Sequence, residues 1–336
     1  MRHANETADT ASWWLIVAMA GACLIACRGL GFRIDAARAI VPAAAIGLLW
    51  AGAVLGRTRG RPRLAAGATA FLLMTSFTII GVVLSYALAA RAGPLWDGRL
   101  AAADVRLGFE WPAVFDALDG HPVALWVGGV AYHSLTVQMI VCIVVLSAVG
   151  RFDALRIAVA AAIVGGFATI LISGAMPAMG NVFDPAGYRR LWPSVAWMER
   201  AMIVGLRDGS WRTLDLTQLM GIVTFPSFHA TLPIILARAQ RDVPVWRIVA
   251  PVWAGVTIVA TPVFGGHYGV DVLAGIAIAP PAIVAGAYIV RVRAAAQRPI
   301  FGDAVTPITG PAAGLRLAGR GRRRTATGSG VGDDVV

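Results

Sequence analysis

Residues 265–290 read GGHYGVDVLAGIAIAPPAIVAGAYIV. Two glycines open the stretch, a histidine and an aspartate follow four positions apart, and the rest is apolar. From Val270 to Val290 the only charged residue is Asp271. About 20 mostly apolar residues cross a bilayer as a helix, so 268–290 is read as a membrane span. Pro280-Pro281 should kink it, which a membrane helix tolerates. Working back from this span, seven more apolar runs appear, at 12–28, 38–56, 65–90, 123–150, 157–176, 222–238 and 247–265. The sixth of the eight is short and carries Pro233.

Composition agrees. The 336 residues are 58% hydrophobic and 14% charged, with mean hydropathy +0.71, where soluble chains are about 25% charged. The expected fold is an all-α polytopic membrane bundle of about eight helices. Residues 1–64 would hold two accessory helices, 65–293 a six-helix core, and 294–336 a basic, disordered cytoplasmic tail rich in Gly, Ala, Arg and Thr. Met1–Ala11 is polar and does not read as a cleaved signal peptide.

Every one of the 29 basic residues is arginine, and the net charge is +11. The arginines gather in the 57–63, 151–156 and 239–247 loops and after residue 291. In an eight-span reading these segments share one side, which the positive-inside rule makes cytoplasmic. Both termini then lie inside, and nucleic acid is not the partner that the charge points to. Loops 91–122 and 177–221 and the Gly265-Gly266 turn fall outside. Loop 177–221 carries Arg189, Arg190, Arg200, Arg207 and Arg212 against the charge rule, which binding of a phosphate would explain. Residues 94–119 and 192–206 read as interfacial amphipathic helices, the first with Trp96 and Trp111 at headgroup level.

The chemistry-bearing residues lie at the outer ends of the last spans. His267 and Asp271 at i,i+4 share a helix face. A carboxylate there can fix the imidazole tautomer and leave the other nitrogen free to attack, the logic of a nucleophile with its orienting group. His229, in Thr224-Phe225-Pro226-Ser227-Phe228-His229, is a second histidine at the same depth, suited to protonating a leaving oxygen. Ser227 can cap the sixth span, and Gly265 and Gly266 permit close backbone approach. The N-terminus of the last helix would offer free N–H groups to an anion. Arg190 and Arg207 are the guanidinium candidates for phosphate, with Arg189 beside them. His133 is read as an interhelical hydrogen-bonding residue. The cysteines Cys23, Cys27 and Cys142 are small apolar residues within helices.

At these residues the chain resembles the type 2 phosphatidic acid phosphatase superfamily, and more narrowly the branch of inositol phosphorylceramide synthase and its bacterial relatives. Phe225-Pro226-Ser227-Phe228-His229 is similar to its second motif, and Gly266-His267-Tyr268-Gly269-Val270-Asp271 to its third. Leu206-Arg207-Asp208-Gly209 and Asp104–Pro112 also look like this branch. The resemblance spans roughly residues 65–290. It implies that His267 is the phosphoryl-accepting nucleophile, Asp271 its partner and His229 the general acid, with no metal or other cofactor; Ser227, Arg190, Arg207 and Gly266 are expected about the phosphate from their own chemistry and position. Ala260-Thr261 stand where the phosphatase branch has a Ser-Arg pair, and the first motif, which needs a lysine, is absent. That departure implies head-group transfer.

The expected protein is therefore a multi-pass inner (plasma) membrane phosphatase or phosphotransferase with its site on the extracytoplasmic face. Its partners would be a membrane lipid substrate, the bilayer, and a lipid or polyol acceptor. Three alternatives stand beside it: a simple phosphatidic acid or polyprenyl (pyro)phosphate phosphatase, a metal site built from His229, His267 and Asp271, and a non-enzymatic lipid transporter on the same scaffold.

Overall fold

A computed structural model describes residues 10–295. The expected disordered tail lies outside the described residues, apart from its first two positions. The chain is an all-α polytopic bundle. Each of the eight apolar runs forms helix, but not every run forms one long helix.

Three long helices open the chain: α1 (Thr10–Gly29), α2 (Ala36–Thr58) and α3 (Pro62–Ala89). Two short ones follow, α4 (Asp97–Arg106) and α5 (Trp111–Asp119). They replace the single interfacial helix expected over 94–119, because the chain breaks at Gly108, whose φ of 82° lies in the left-handed region. The fourth run is broken as well. α6 (Pro122–His133) and α7 (Leu135–Ala148) meet at Ser134 with a bend of 57°. Next come α8 (Phe152–Ala175) and, after a long loop, the surface helix α9 (Val195–Asp208). The last three are α10 (Phe228–Ala239), α11 (Trp246–Gly265) and α12 (Gly269–Ala295), which runs through Pro280-Pro281 as one helix.

Among the described residues six helices are long and apolar enough to cross a membrane, or seven if α6 and α7 form one span. α10 is not one of them. Its 12 residues rise only about 18 Å, against a hydrocarbon core of about 30 Å. The expected span at 222–238 loses its first turns because Pro226 and the extended residues before it leave the helix.

α8 is the hub. Its Ala158, Ala160, Ala161, Ala162 and Gly165 are buried against α12, α10 and α3. Small residues let membrane helices approach until their backbones nearly touch, and in lipid that packing replaces the hydrophobic drive. α12 meets α10 in the same way. Thr231 Oγ1 donates to the Gly275 carbonyl at 2.8 Å, and a side chain at Gly275 would collide with the Ser227 carbonyl. Two residues of β-bridge were not foreseen: Arg33–Ile34 pairs in parallel with Thr213–Leu214 and ties the α1–α2 loop to the segment after α9.

α4 positions the end of the bundle where α12 begins. Asp104 is 1% exposed. Its carboxylate accepts from Gly269 N at 2.7 Å, Val270 N at 2.8 Å and Trp111 Nε1 at 2.6 Å. An anion across the first turn of α12 satisfies orphan N–H groups and complements the helix dipole. Two turns earlier, Asp97 accepts from Met179 N, Gly180 N and the Tyr268 hydroxyl. Replacing Asp104 by Ala strands three donors, one buried and two part-buried, at up to about 1–3 kcal/mol each. Asp104→Ala should therefore lower the thermal midpoint in detergent sharply. A midpoint within a degree or two of wild type would show that the cap carries no stability.

Candidate active site

His267 sits between α11 and α12, at the point that Asp104 and Asp97 hold. α11 ends at Gly265, and Gly266 turns the chain at φ 73°. A Cβ at Gly266 would press into Ala196 and Ser194, so glycine is required here for both its backbone angle and its size. The His267 ring has three polar neighbours. Nδ1 lies 2.9 Å from the Thr224 carbonyl and 3.5 Å from Asp271 Oδ2. Nε2 lies 3.3 Å from Ser227 Oγ. A carbonyl only accepts, so Nδ1 carries the proton, and Nε2 holds the lone pair to which the Ser227 hydroxyl donates. The tautomer is thus set by a backbone oxygen, with Asp271 at ion-pair distance beside it.

Asp271 is fully buried. Oδ2 accepts from Tyr268 N at 2.8 Å, while Oδ1 has no hydrogen-bond partner among the described residues. Ser227 is also fully buried, and its backbone N–H donates to the Asp271 carbonyl at 3.0 Å. Its hydroxyl therefore serves His267 and does not cap α10.

His229 opens α10 across from His267, with the ring centroids 6.4 Å apart. It stacks on Tyr132 at 4.4 Å and 15°. Both histidines line one cavity of about 360 Å³. His133 lines it too, beside Trp192, and makes no hydrogen bond among the described residues, contrary to the interhelical role expected of it. Met74, Phe77, Val82, Ile170, Ile203 and Ile222 give the cavity mostly apolar walls.

Of the sequence-derived phosphate ligands, Ser227 and Gly266 lie beside His267 and the arginines do not. Arg190 is exposed, and its backbone N–H donates to Asp119, as does that of Arg189. The three loop N–H groups bound to Asp119 hold its carboxyl below the ordinary range. Arg207 donates to the Gly93 carbonyl and faces an adjoining cleft. Arg200 lies over the Trp197 ring and Arg212 over Phe32. The Gly266 N–H is spent on the Pro262 carbonyl, though Gly266 does line the cavity. The N–H groups of Tyr268, Gly269 and Val270 are taken by Asp271 and Asp104, so the start of α12 is filled by the protein's own carboxylates. Among the described residues no group of three His, Cys, Asp or Glu has the arrangement to hold a metal ion.

A profile of the PAP2 superfamily matches residues 98–285, more than half of the chain, from α4 through most of α12. The chain belongs to the PAP2 superfamily. No curated protein and no solved structure matches it. As a PAP2 protein it is a membrane enzyme of the phosphatase type, acting on phosphate esters of lipids. His229, His267 and Asp271 all fall within the matched residues of this PAP2 chain.

One cavity residue escaped the sequence reading. Glu199 of α9 is 5% exposed and lines the same cavity. It was legible in principle, since an acid stands one helical turn from Ala196 and from Ile203 on a buried stripe. Burial raises its carboxyl from 4.5 to about 8. The folded state then binds this proton more tightly than the unfolded chain. That contribution is complete below about 4.5 and lost as pH rises through about 8. Tyr86 and Tyr132 lie within electrostatic reach of the group, and His133, His229 and His267 line the same cavity. Thermal midpoints of Glu199→Gln measured across this window should fall less steeply than those of wild type. Parallel curves would place the titration elsewhere.

Proposed function

We propose that this PAP2 protein cleaves a lipid phosphate ester through a phosphohistidine on His267. The observation that carries the reading is the pair of histidines on one cavity. His267 has its Nδ1 proton committed to the Thr224 carbonyl, and His229 stands 6.4 Å away, ring centroid to ring centroid. Nε2 is then the nucleophile. Its lone pair forms the N–P bond as the P–O ester bond breaks, and His229, acting in its imidazolium form, gives its proton to the departing alkoxide and is left neutral. Asp271 beside Nδ1 stabilises the positive charge that grows on the ring. In the second half, His229 takes the proton of an incoming water or alcohol, the new O–P bond forms and the N–P bond breaks. Positioning and charge stabilisation supply most of the acceleration.

Head-group transfer, as in the branch of inositol phosphorylceramide synthase, is supported by the cavity walls. They are mostly apolar, and no arginine lines them. We place the reaction on the extracytoplasmic face of the plasma membrane with both termini inside, because the arginine-rich loops lie at the opposite end of the helices. Within this reading residues 65–293 are the catalytic core and residues 1–64 an addition to it.

The test uses purified wild type and His267→Ala in detergent with EDTA. Both receive phosphatidic acid, a polyprenyl phosphate, and phosphatidylinositol with diacylglycerol or ceramide. Lipids are followed by mass spectrometry alongside free phosphate. The expected outcome is turnover by wild type that survives EDTA and falls at least about 10³-fold in His267→Ala. Asp271→Asn and His229→Ala should each lose about 10²–10⁴-fold. Free phosphate marks a phosphatase and a new head-group lipid a transferase. Equal activity in wild type and His267→Ala would sink the mechanism. Activity abolished by EDTA would favour a metal-dependent reaction instead.

A further inference from the structure

The cavity that holds the histidines has one acid on its wall and no arginine. That acid, Glu199, is 5% exposed, and its Oε1 has no hydrogen-bond partner among the described residues. A buried polar oxygen left unpaired costs about as much as a lost hydrogen bond. Such an oxygen is satisfied by water or by a ligand. Glu199 itself lines the cavity, as do Ala196 and Ile203 one turn to either side on α9, so a ligand that reaches this carboxyl comes from that space.

The chemistry of that ligand is constrained. Tyr86 of α3 and Tyr132 of α6 lie within electrostatic reach of Glu199, and His133, His229 and His267 line the same cavity. No guanidinium among them stabilises an ionised carboxylate, and burial holds the proton on up to about pH 8. At neutral pH the group is thus a neutral carboxyl, which donates one hydrogen bond and accepts others. An alcohol hydroxyl has the same two abilities and brings no charge into an apolar cavity. An ammonium would require the carboxyl to ionise. The body carrying the hydroxyl faces Met74, Val82, Ile170, Ile203 and Ile222, a wall that fits a hydrocarbon body.

We propose that Glu199 is the hydroxyl-recognising residue of this cavity and binds the free hydroxyl of an uncharged lipid alcohol. Resting on the proposed phosphoryl chemistry, that alcohol is the one leaving the phosphoryl group on His267 or approaching it. Glu199 takes no covalent part. It chooses a free hydroxyl over a blocked one.

Binding tests this without turnover. Full-length protein in lipid nanodiscs is photolabelled with a photoreactive diacylglycerol, and labelling is competed by unlabelled diacylglycerol or by its 3-O-methyl ether. In wild type the free alcohol should compete about tenfold better than the ether, the size of discrimination that one hydrogen bond gives. Glu199→Leu should bring that ratio to about one, while Glu199→Gln, which keeps a donor and an acceptor, should hold it within about threefold of wild type. Folding is checked by size exclusion, and Glu199→Ala replaces Glu199→Leu should the latter aggregate. The proposal is overturned if wild type shows no preference for the free hydroxyl, including the case where neither lipid competes. It is equally overturned if the preference survives in the Leu or Ala variant, or is lost in Glu199→Gln. Phosphate release by His267→Ala reports on the nucleophile alone, so either reading can fail while the other stands.

Discussion

The carboxylate of Asp104 across the first turn of α12 is the interaction on which the site depends. α12 must begin where two long apolar helices meet, and its first N–H groups would otherwise be buried without partners. Asp104 takes the N–H groups of Gly269 and Val270 and the Trp111 indole together. That fixes where α12 starts, and hence where Asp271 enters its first turn beside His267. Asp97 on the same short helix holds the 179–180 backbone and Tyr268. An amphipathic helix lying along the edge of the bundle thus acts as the jig for residues that belong to the spans.

The same economy appears around His267. The Thr224 carbonyl receives its Nδ1 proton and Ser227 faces Nε2, and both residues belong to the extended stretch before α10. Ser227 N–H in turn is held by the Asp271 carbonyl. The two patches, more than 30 residues apart in the chain, are one hydrogen-bonded unit. Fold and site therefore stabilise each other here, and a change in either patch is felt in both.

Much of this was legible in the sequence. His267 and Asp271 carry a helical spacing, and Phe225–His229 sits at the edge of an apolar run. Their meeting required only that both runs share a membrane face. The apolar runs themselves exposed the bundle, since 20-residue hydrocarbon stretches have few other uses. What stayed hidden depended on three-dimensional breaks and on partners. The bend at Ser134 leaves no Pro or Gly at that position, so hydropathy alone read one span. The arginines were read as phosphate ligands from their charge, yet loop geometry sends Arg190 outward and Arg207 to the Gly93 carbonyl. The free start of α12 was misread because nothing in residues 97–106 announces which helix their carboxylates will reach. Glu199 was passed over as one more charge on an interfacial helix.

The shortness of α10 has a consequence for chemistry. Its helix begins at His229's own turn and covers only about 18 Å, so extended backbone completes the path, tolerated because it is enclosed by protein. In the proposed reaction, an ester held between His229 and His267 shares this cavity with its nucleophile. There a lipid alcohol lying against the apolar wall competes with the water of a confined space and not with the whole solvent. Which nucleophile completes the reaction becomes a matter of occupancy in a space of a few hundred cubic ångströms. A small change in wall residues could move the outcome from hydrolysis to exchange without touching either histidine.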